Sequence, residues 1–173
     1  MTDTSRPALD QLHDFAPAGY HTVTPYLAVR DASATLDFYQ RAFGATVLSR
    51  MDGDDGTVMH AEVLIGDSVI QVSDEFPQMG LVVPADDAVN GSFSVYVADV
   101  DATHAAAAAA GATVVSGVED VFSGDRMGIV RCPGGHRWVI LTRKEHVDDA
   151  EVERRAREWV AAGSQHASPD TDA

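Results

Sequence analysis

Two side chains of complementary chemistry, His60 and Glu62, stand two positions apart in the string Val58-Met59-His60-Ala61-Glu62-Val63-Leu64-Ile65. Successive side chains of a β-strand alternate between faces, so at that spacing an imidazole and a carboxylate share one face. Such a pair can exchange a proton and serve as general acid and base. In mostly apolar surroundings the Glu62 carboxyl is expected to hold its proton more tightly than usual, bringing it nearer neutrality. The alternative is structural: both residues pair with Arg126 or Arg137, because buried carboxylates are normally paired.

Strand periodicity likewise puts Thr24 with Tyr26 on one face of its strand, Val69 with Gln71 and Ser73, Ser92 with Ser94 and Tyr96, and Arg137 with Val139 and Leu141. Were these faces to line one cavity, a small ligand would be gripped by Tyr26, Tyr96 and Val139 and oriented by Gln71 and Ser94. Arg126, in Gly124-Asp125-Arg126, could clasp a ligand carboxylate bidentately, or it could sit in a turn with an internal Asp–Arg contact. His136 is expected to hydrogen-bond backbone after its Gly-Gly turn, whereas His21 and His104 read as surface residues. Cys132, the single cysteine, has no base nearby in sequence and reads as a buried, inert thiol; it permits neither an internal disulfide nor a cysteine metal cluster. No Gly-x-Ser-x-Gly elbow, phosphate loop or His-Glu-x-x-His motif is present.

The elements that must position these residues repeat. Val23–Val29 alternates as a strand, residues 30–33 offer helix-capping chemistry, and Ala34–Phe43 has helical spacing closed by Gly44. Strands are expected at Thr46–Met51, Val58–Ile65 and Ser68–Ser73, the last two joined by a Gly66-Asp67 hairpin. Residues 74–91 read as a long loop. A strand at Ser92–Val97 follows, then a helix opened by Asp99-Val100-Asp101, built on Ala105–Ala110 and capped by Gly111. Gly44-Ala45-Thr46-Val47 recurs as Gly111-Ala112-Thr113-Val114, and strands at Arg126–Arg131 and Arg137–Thr142 complete the second copy. The expected fold is therefore α+β, a tandem of βαβββ modules at about residues 20–75 and 92–143. A polar arm (residues 1–19) precedes it. A charged helix from Ala150 to about Ala162, with Arg154, Arg155 and Arg157, leads to a disordered tail, so that residues 148–173 form a C-terminal extension.

With 173 residues, 45% of them hydrophobic, the chain suits one moderate domain or two small modules. Its 27 acidic and 12 basic residues give a net charge of −15, which disfavours nucleic acid and anionic membrane surfaces as partners. No apolar run approaches the roughly 18 residues of a membrane span, and the N-terminus lacks a signal-peptide pattern, so a cytoplasmic location is expected.

The strings Thr24-Pro25-Tyr26-Leu27, Asp37-Phe38-Tyr39, Met59-His60-Ala61-Glu62, Ile65-Gly66-Asp67-Ser68, Gly124-Asp125-Arg126 and Gly135-His136-Arg137-Trp138, set in two βαβββ modules, resemble the vicinal oxygen chelate superfamily of glyoxalases, bleomycin-resistance proteins and extradiol dioxygenases, and its PhnB-like branch in particular. The resemblance covers about residues 20–150. It implies an eight-stranded open cup, usually in a homodimer, over a domain spanning 20–147. It also implies four metal-ligand positions, which fall on Thr24, Gln71, Ser92 and Val139. None of these is a good divalent ligand, so no metal or other cofactor is expected unless a relocated site uses His60 and Glu62. The expectation is a small-molecule-binding protein of the glyoxalase/bleomycin-resistance type, with His60 and Glu62 as the catalytic pair if the protein is instead an isomerase, lyase or cyclase, or a metal-dependent enzyme with a relocated site.

Overall fold

Asp31 and Asp99 start the two principal helices in the same way. Each is extended, and its side chain accepts a hydrogen bond from the backbone N–H three residues on, Ala34 at 2.8 Å and Ala102 at 3.0 Å. In the computed structural model, which describes residues 16, 17, 19–83 and 91–161, helix α1 spans Ala32–Phe43 and helix α2 spans Val100–Ala109. Gly44 ends α1 in the left-handed conformation, φ 64°, where a side chain would be strained.

The chain forms two compact units, Met1–Asn90 with Cys132–His136 and Gly91–Arg131 with Arg137–Ala173. The first contains β1 (Tyr26–Val29), α1, β2 (Thr46–Asp52), β3 (Val58–Ile65) and β4 (Ser68–Asp74), with sheet order β1-β4-β3-β2. The second contains β5 (Ser92–Tyr96), α2, β6 (Thr113–Asp120), β7 (Asp125–Arg131) and β8 (Arg137–Arg143), in the matching order β5-β8-β7-β6. In each sheet the first strand runs parallel to the fourth, and the other pairs are antiparallel. The tandem βαβββ organisation and the α+β class are thus observed. The duplication extends to irregularities: β2 slips register between Val47 and Ser49, and β6 slips at the same place in its copy, between Val114 and Ser116.

In the first unit Leu27, Val29, Ala61, Val63 and Val72 are buried with Leu36, Phe38 and Tyr39 of α1. In the second, Val130, Trp138 and Ile140 are buried with Val100, His104 and Ala107 of α2, and Phe93 stacks obliquely on Trp138 at 5.2 Å. A third helix, α3 (Asp149–Ala161), buries no residue. It is laced by exposed ion pairs from Arg154, Arg155 and Arg157 and touches the second unit through Trp159, 5.8 Å from Phe122.

Several expectations are corrected. β1 begins at Tyr26 rather than Val23: Pro25 has no N–H to give a ladder, and Thr24, off the strand, donates its hydroxyl to the carbonyl of His21 at 3.2 Å. Met59 is exposed while its neighbour Val58 is fully buried, against strict alternation, next to a second slip between Met51 and Asp52. His104 is buried, its Nε2 3.0 Å from the Ser116 carbonyl oxygen. Residues 74–91 are not structureless throughout, since Phe76 bridges Leu81 across a 3-10 turn at Pro77–Met79. Residues 84–90, most of the N-terminal arm and the C-terminal tail lie outside the described residues. Cys132 is buried, as expected.

Candidate functional site

The register of the first sheet sets one residue from each of its four strands side by side: Tyr26 of β1 opposite Gln71 of β4, Gln71 opposite Glu62 of β3, and Glu62 opposite Ser49 of β2. Directly opposed side chains in a sheet lie about 5 Å apart, so these four form a transverse row on the face away from α1. His60 stands beside the row, two residues from Glu62. Its Nε2 is 3.6 Å from Glu62 Oε1 and its Nδ1 3.4 Å from the Tyr26 hydroxyl, with the two rings 5.7 Å apart. The two contacts set the ring between the Tyr26 phenol and the Glu62 carboxylate, one nitrogen toward each.

Tyr20, in the coil before β1, donates its hydroxyl to Glu62 and also meets Gln71. This hydrogen bond is the largest influence on the Glu62 carboxyl, and it holds the group below the usual glutamate range. Partial burial opposes it, and hydrogen bonds from Ser49 and His60 add to the lowering. In return the Tyr20 phenol is pushed up, because its proton is bound to an anion. The expected rise at Glu62 is therefore reversed. The carboxylate is 27% exposed rather than sealed in apolar surroundings, and donors surround it. The sequence reading missed Tyr20. A coil residue has no periodicity to reveal its direction; only its nearness to the start of β1 could have drawn attention to it.

The second sheet carries the equivalent row: Ser94 opposite Val139, Val139 opposite Ile129, and Ile129 opposite Ser116. Valine and isoleucine stand where the first row has glutamine and glutamate. Ser92 lies opposite Arg137 and Tyr96 opposite Leu141, so Ser92, Ser94, Tyr96 and Val139 do share a face. Tyr96, 59% exposed, hydrogen-bonds Arg143, the leading cause of that guanidinium's raised pKa. Arg143 also donates to the buried Asp125 at 2.6 Å, and Asp125 accepts from the Ser123 hydroxyl at 2.8 Å.

Arg126 does not join these residues. Its position on β7 puts it on the α2 side of the sheet with Gly128 and Val130. There it makes a bidentate pair with Asp101, both contacts at 2.8 Å, and a third contact with Asp120 at 3.2 Å. These carboxylates raise its pKa further. The internal contact of the turn is corrected as well: Asp125 pairs with Arg143 rather than with Arg126. His136 is half-buried, and its ring is harder to protonate because of burial.

Among the described residues no group of three or more His, Cys, Asp or Glu side chains is arranged to hold a metal ion, and no helix is long and apolar enough to cross a membrane.

Comparison with known proteins agrees with this architecture. Residues 19–140 match the model of the Glyoxalase/Bleomycin resistance protein/Dioxygenase superfamily. An uncharacterised protein of Mycobacterium bovis is 37% identical over 135 residues, 76% of this chain and 89% of the relative. Among solved structures, TioX from Micromonospora sp. ML1 is 28% identical, with a TM-score of 0.55 over 70% of this chain and 97% of that one. A PhnB protein from Bacillus cereus shares the fold at 17% identity, with a TM-score of 0.55 over 70% of this chain and 99% of that one.

Proposed function

Since the chain belongs to the glyoxalase/bleomycin resistance protein/dioxygenase superfamily, whose fold hosts many chemistries, we propose a function read from its own residues: it binds a small molecule without a metal chelate. The observation that carries this reading is the row Tyr26–Gln71–Glu62–Ser49, in which an accessible, hydrogen-bonded carboxylate stands beside an aromatic ring and an amide. Fixed polar groups next to an aromatic surface are what orients a bound organic ligand.

The donor set at the superfamily's metal positions does not fit a divalent ion. Val139 has no donor atom, Thr24 and Ser92 offer neutral hydroxyls, and the Thr24 hydroxyl is engaged with backbone. A relocated centre at His60 and Glu62 would begin with two ligands, short of the three protein ligands usual at a catalytic zinc. The acid–base alternative rests on the His60–Glu62 contact. An easily ionised carboxyl is a poor proton donor near neutrality and a weak base, so the lowered pKa of Glu62 favours an anchoring role. In that role His60, Tyr20 and Ser49 keep the carboxylate oriented, Gln71 supplies a donor and an acceptor, and Tyr26 supplies its ring. The family and the composition further suggest a homodimer in the cytoplasm with a small molecule as its partner.

The test is a thermal-shift screen of aromatic and natural-product-like compounds against the wild type, Glu62→Gln and Tyr26→Ala. Compounds that stabilise the wild type and lose most of that effect in both variants are expected. Stabilisation that survives both substitutions would place binding elsewhere and overturn the reading.

A further inference from the structure

Among the described residues the ion pairs join Glu62 to His60 alone. Nearby Arg50 points away from this face, its Nε 2.8 Å from Asp52. The groups that hold Glu62 are Tyr20, Ser49 and the His60 imidazole. A carboxylate has about four acceptor sites and these three donors occupy at most three, which leaves acceptor capacity on a group that solvent can reach. Tyr26 lies across Gln71 in the same row and is 41% exposed, so an aromatic surface is available within one ligand's length of the anion.

From this geometry we propose that the site selects a planar cation, an aromatic amidinium or guanidinium, whose N–H groups meet Glu62 while its ring lies against Tyr26. This inference rests on the binding reading above and adds its chemical class. A planar nitrogen cation can give the remaining acceptor site a charge-assisted hydrogen bond, and an adjoining tyrosine ring adds cation–π attraction. An anionic ligand meets an unneutralised carboxylate in a chain of net charge −15 and is repelled. A neutral amide can donate to Glu62 but lacks the charge that makes such a hydrogen bond strong.

Three near-isosteric probes separate these cases: benzamidinium, benzamide and benzoate, each titrated into the 15N-labelled full-length protein while amide shifts are followed. Benzamidinium is expected to move the amides of Tyr26, His60, Glu62 and Gln71 saturably and to bind roughly tenfold more tightly than benzamide, with benzoate inert; tenfold corresponds to about 1.4 kcal/mol. Glu62→Gln, whose folding the same spectra verify, should bring benzamidinium and benzamide to near parity, and Glu62→Ala is the substitute if the amide variant does not fold. If benzamide or benzoate binds this face as well as benzamidinium does, the cation class is wrong and the binding reading stands. If none of the three moves these amides, both fall.

Discussion

Glu62 is held as an anion by hydroxyl donors from two different segments, Tyr20 and Ser49, and this makes its titration a direct report on the site. Its folded pKa lies below the ordinary value of 4.5, so the unfolded chain takes up the proton first as pH falls. The stability it contributes is therefore complete above that unfolded value and is lost as pH drops through the folded one. Urea unfolding of the wild type and Glu62→Gln across this window should show a difference that shrinks toward acid; a gap that widens toward acid would mean that the carboxyl is protonated in the native state. Tyr20→Phe removes the leading donor, and NMR titration should show the Glu62 carboxyl pKa rising toward its ordinary value. The sequence made His60, Glu62, Gln71 and Tyr26 legible, because strand alternation assigns faces. It could not show the sign of the Glu62 shift, which depends on a tyrosine in coil. Nor did it place Arg126, whose parity on β7 turns it toward Asp101 of α2.

At the scale of elements, the hairpins and caps were legible because Gly66-Asp67, Asp31, Gly44 and Asp99 each carry a turn or capping chemistry of their own. The long-range ties were not. Asp74, at the end of β4, accepts from the backbone N–H of Ala32 at 2.8 Å and of Val58 at 2.7 Å, joining the start of α1 to the start of β3. Hydrogen bonds to a charged group are worth about 1.5–3 kcal/mol each, so Asp74→Ala should destabilise by at least about 2 kcal/mol in chemical denaturation. A loss within about 0.5 kcal/mol, the range of ordinary surface substitutions, would contradict this. The turn after β7 behaves likewise. A Cβ on Gly134 would stand 2.7 Å from the Thr35 hydroxyl and 2.9 Å from a Val29 methyl, so Gly134→Ala should cost about 1–3 kcal/mol by overpacking. His104 did have a signal in the sequence: with Val100 and Ala107 it makes an i, i+4, i+7 stripe, the spacing of a buried helix face, inside a run of alanines that obscured it.

At the scale of the whole chain, two copies of one module keep their strand order, helix N-caps and edge-strand bulges yet differ in the chemistry of one row. Gln71 and Glu62 of the first sheet correspond to Val139 and Ile129 of the second. The duplication was readable from Gly-Ala-Thr-Val; the divergence of the rows needed the register. Helix α3 stands apart energetically, since none of its residues is fully buried and its mostly exposed ion pairs are each worth about 0–1 kcal/mol. Removing residues 148–173 should therefore lower the melting temperature by only about 2–4 °C, and a much larger drop would show that α3 belongs to the core. On the proposed function, the ionised carboxylate of the first row binds a ligand with no metal between them. Elemental analysis of untagged protein, purified without chelators and then dialysed against zinc, nickel, manganese and iron, checks this. Only trace metal is expected with each ion, unchanged in Glu62→Gln. About one tightly held ion per chain, lost in that variant, would contradict it and make His60 and Glu62 metal ligands.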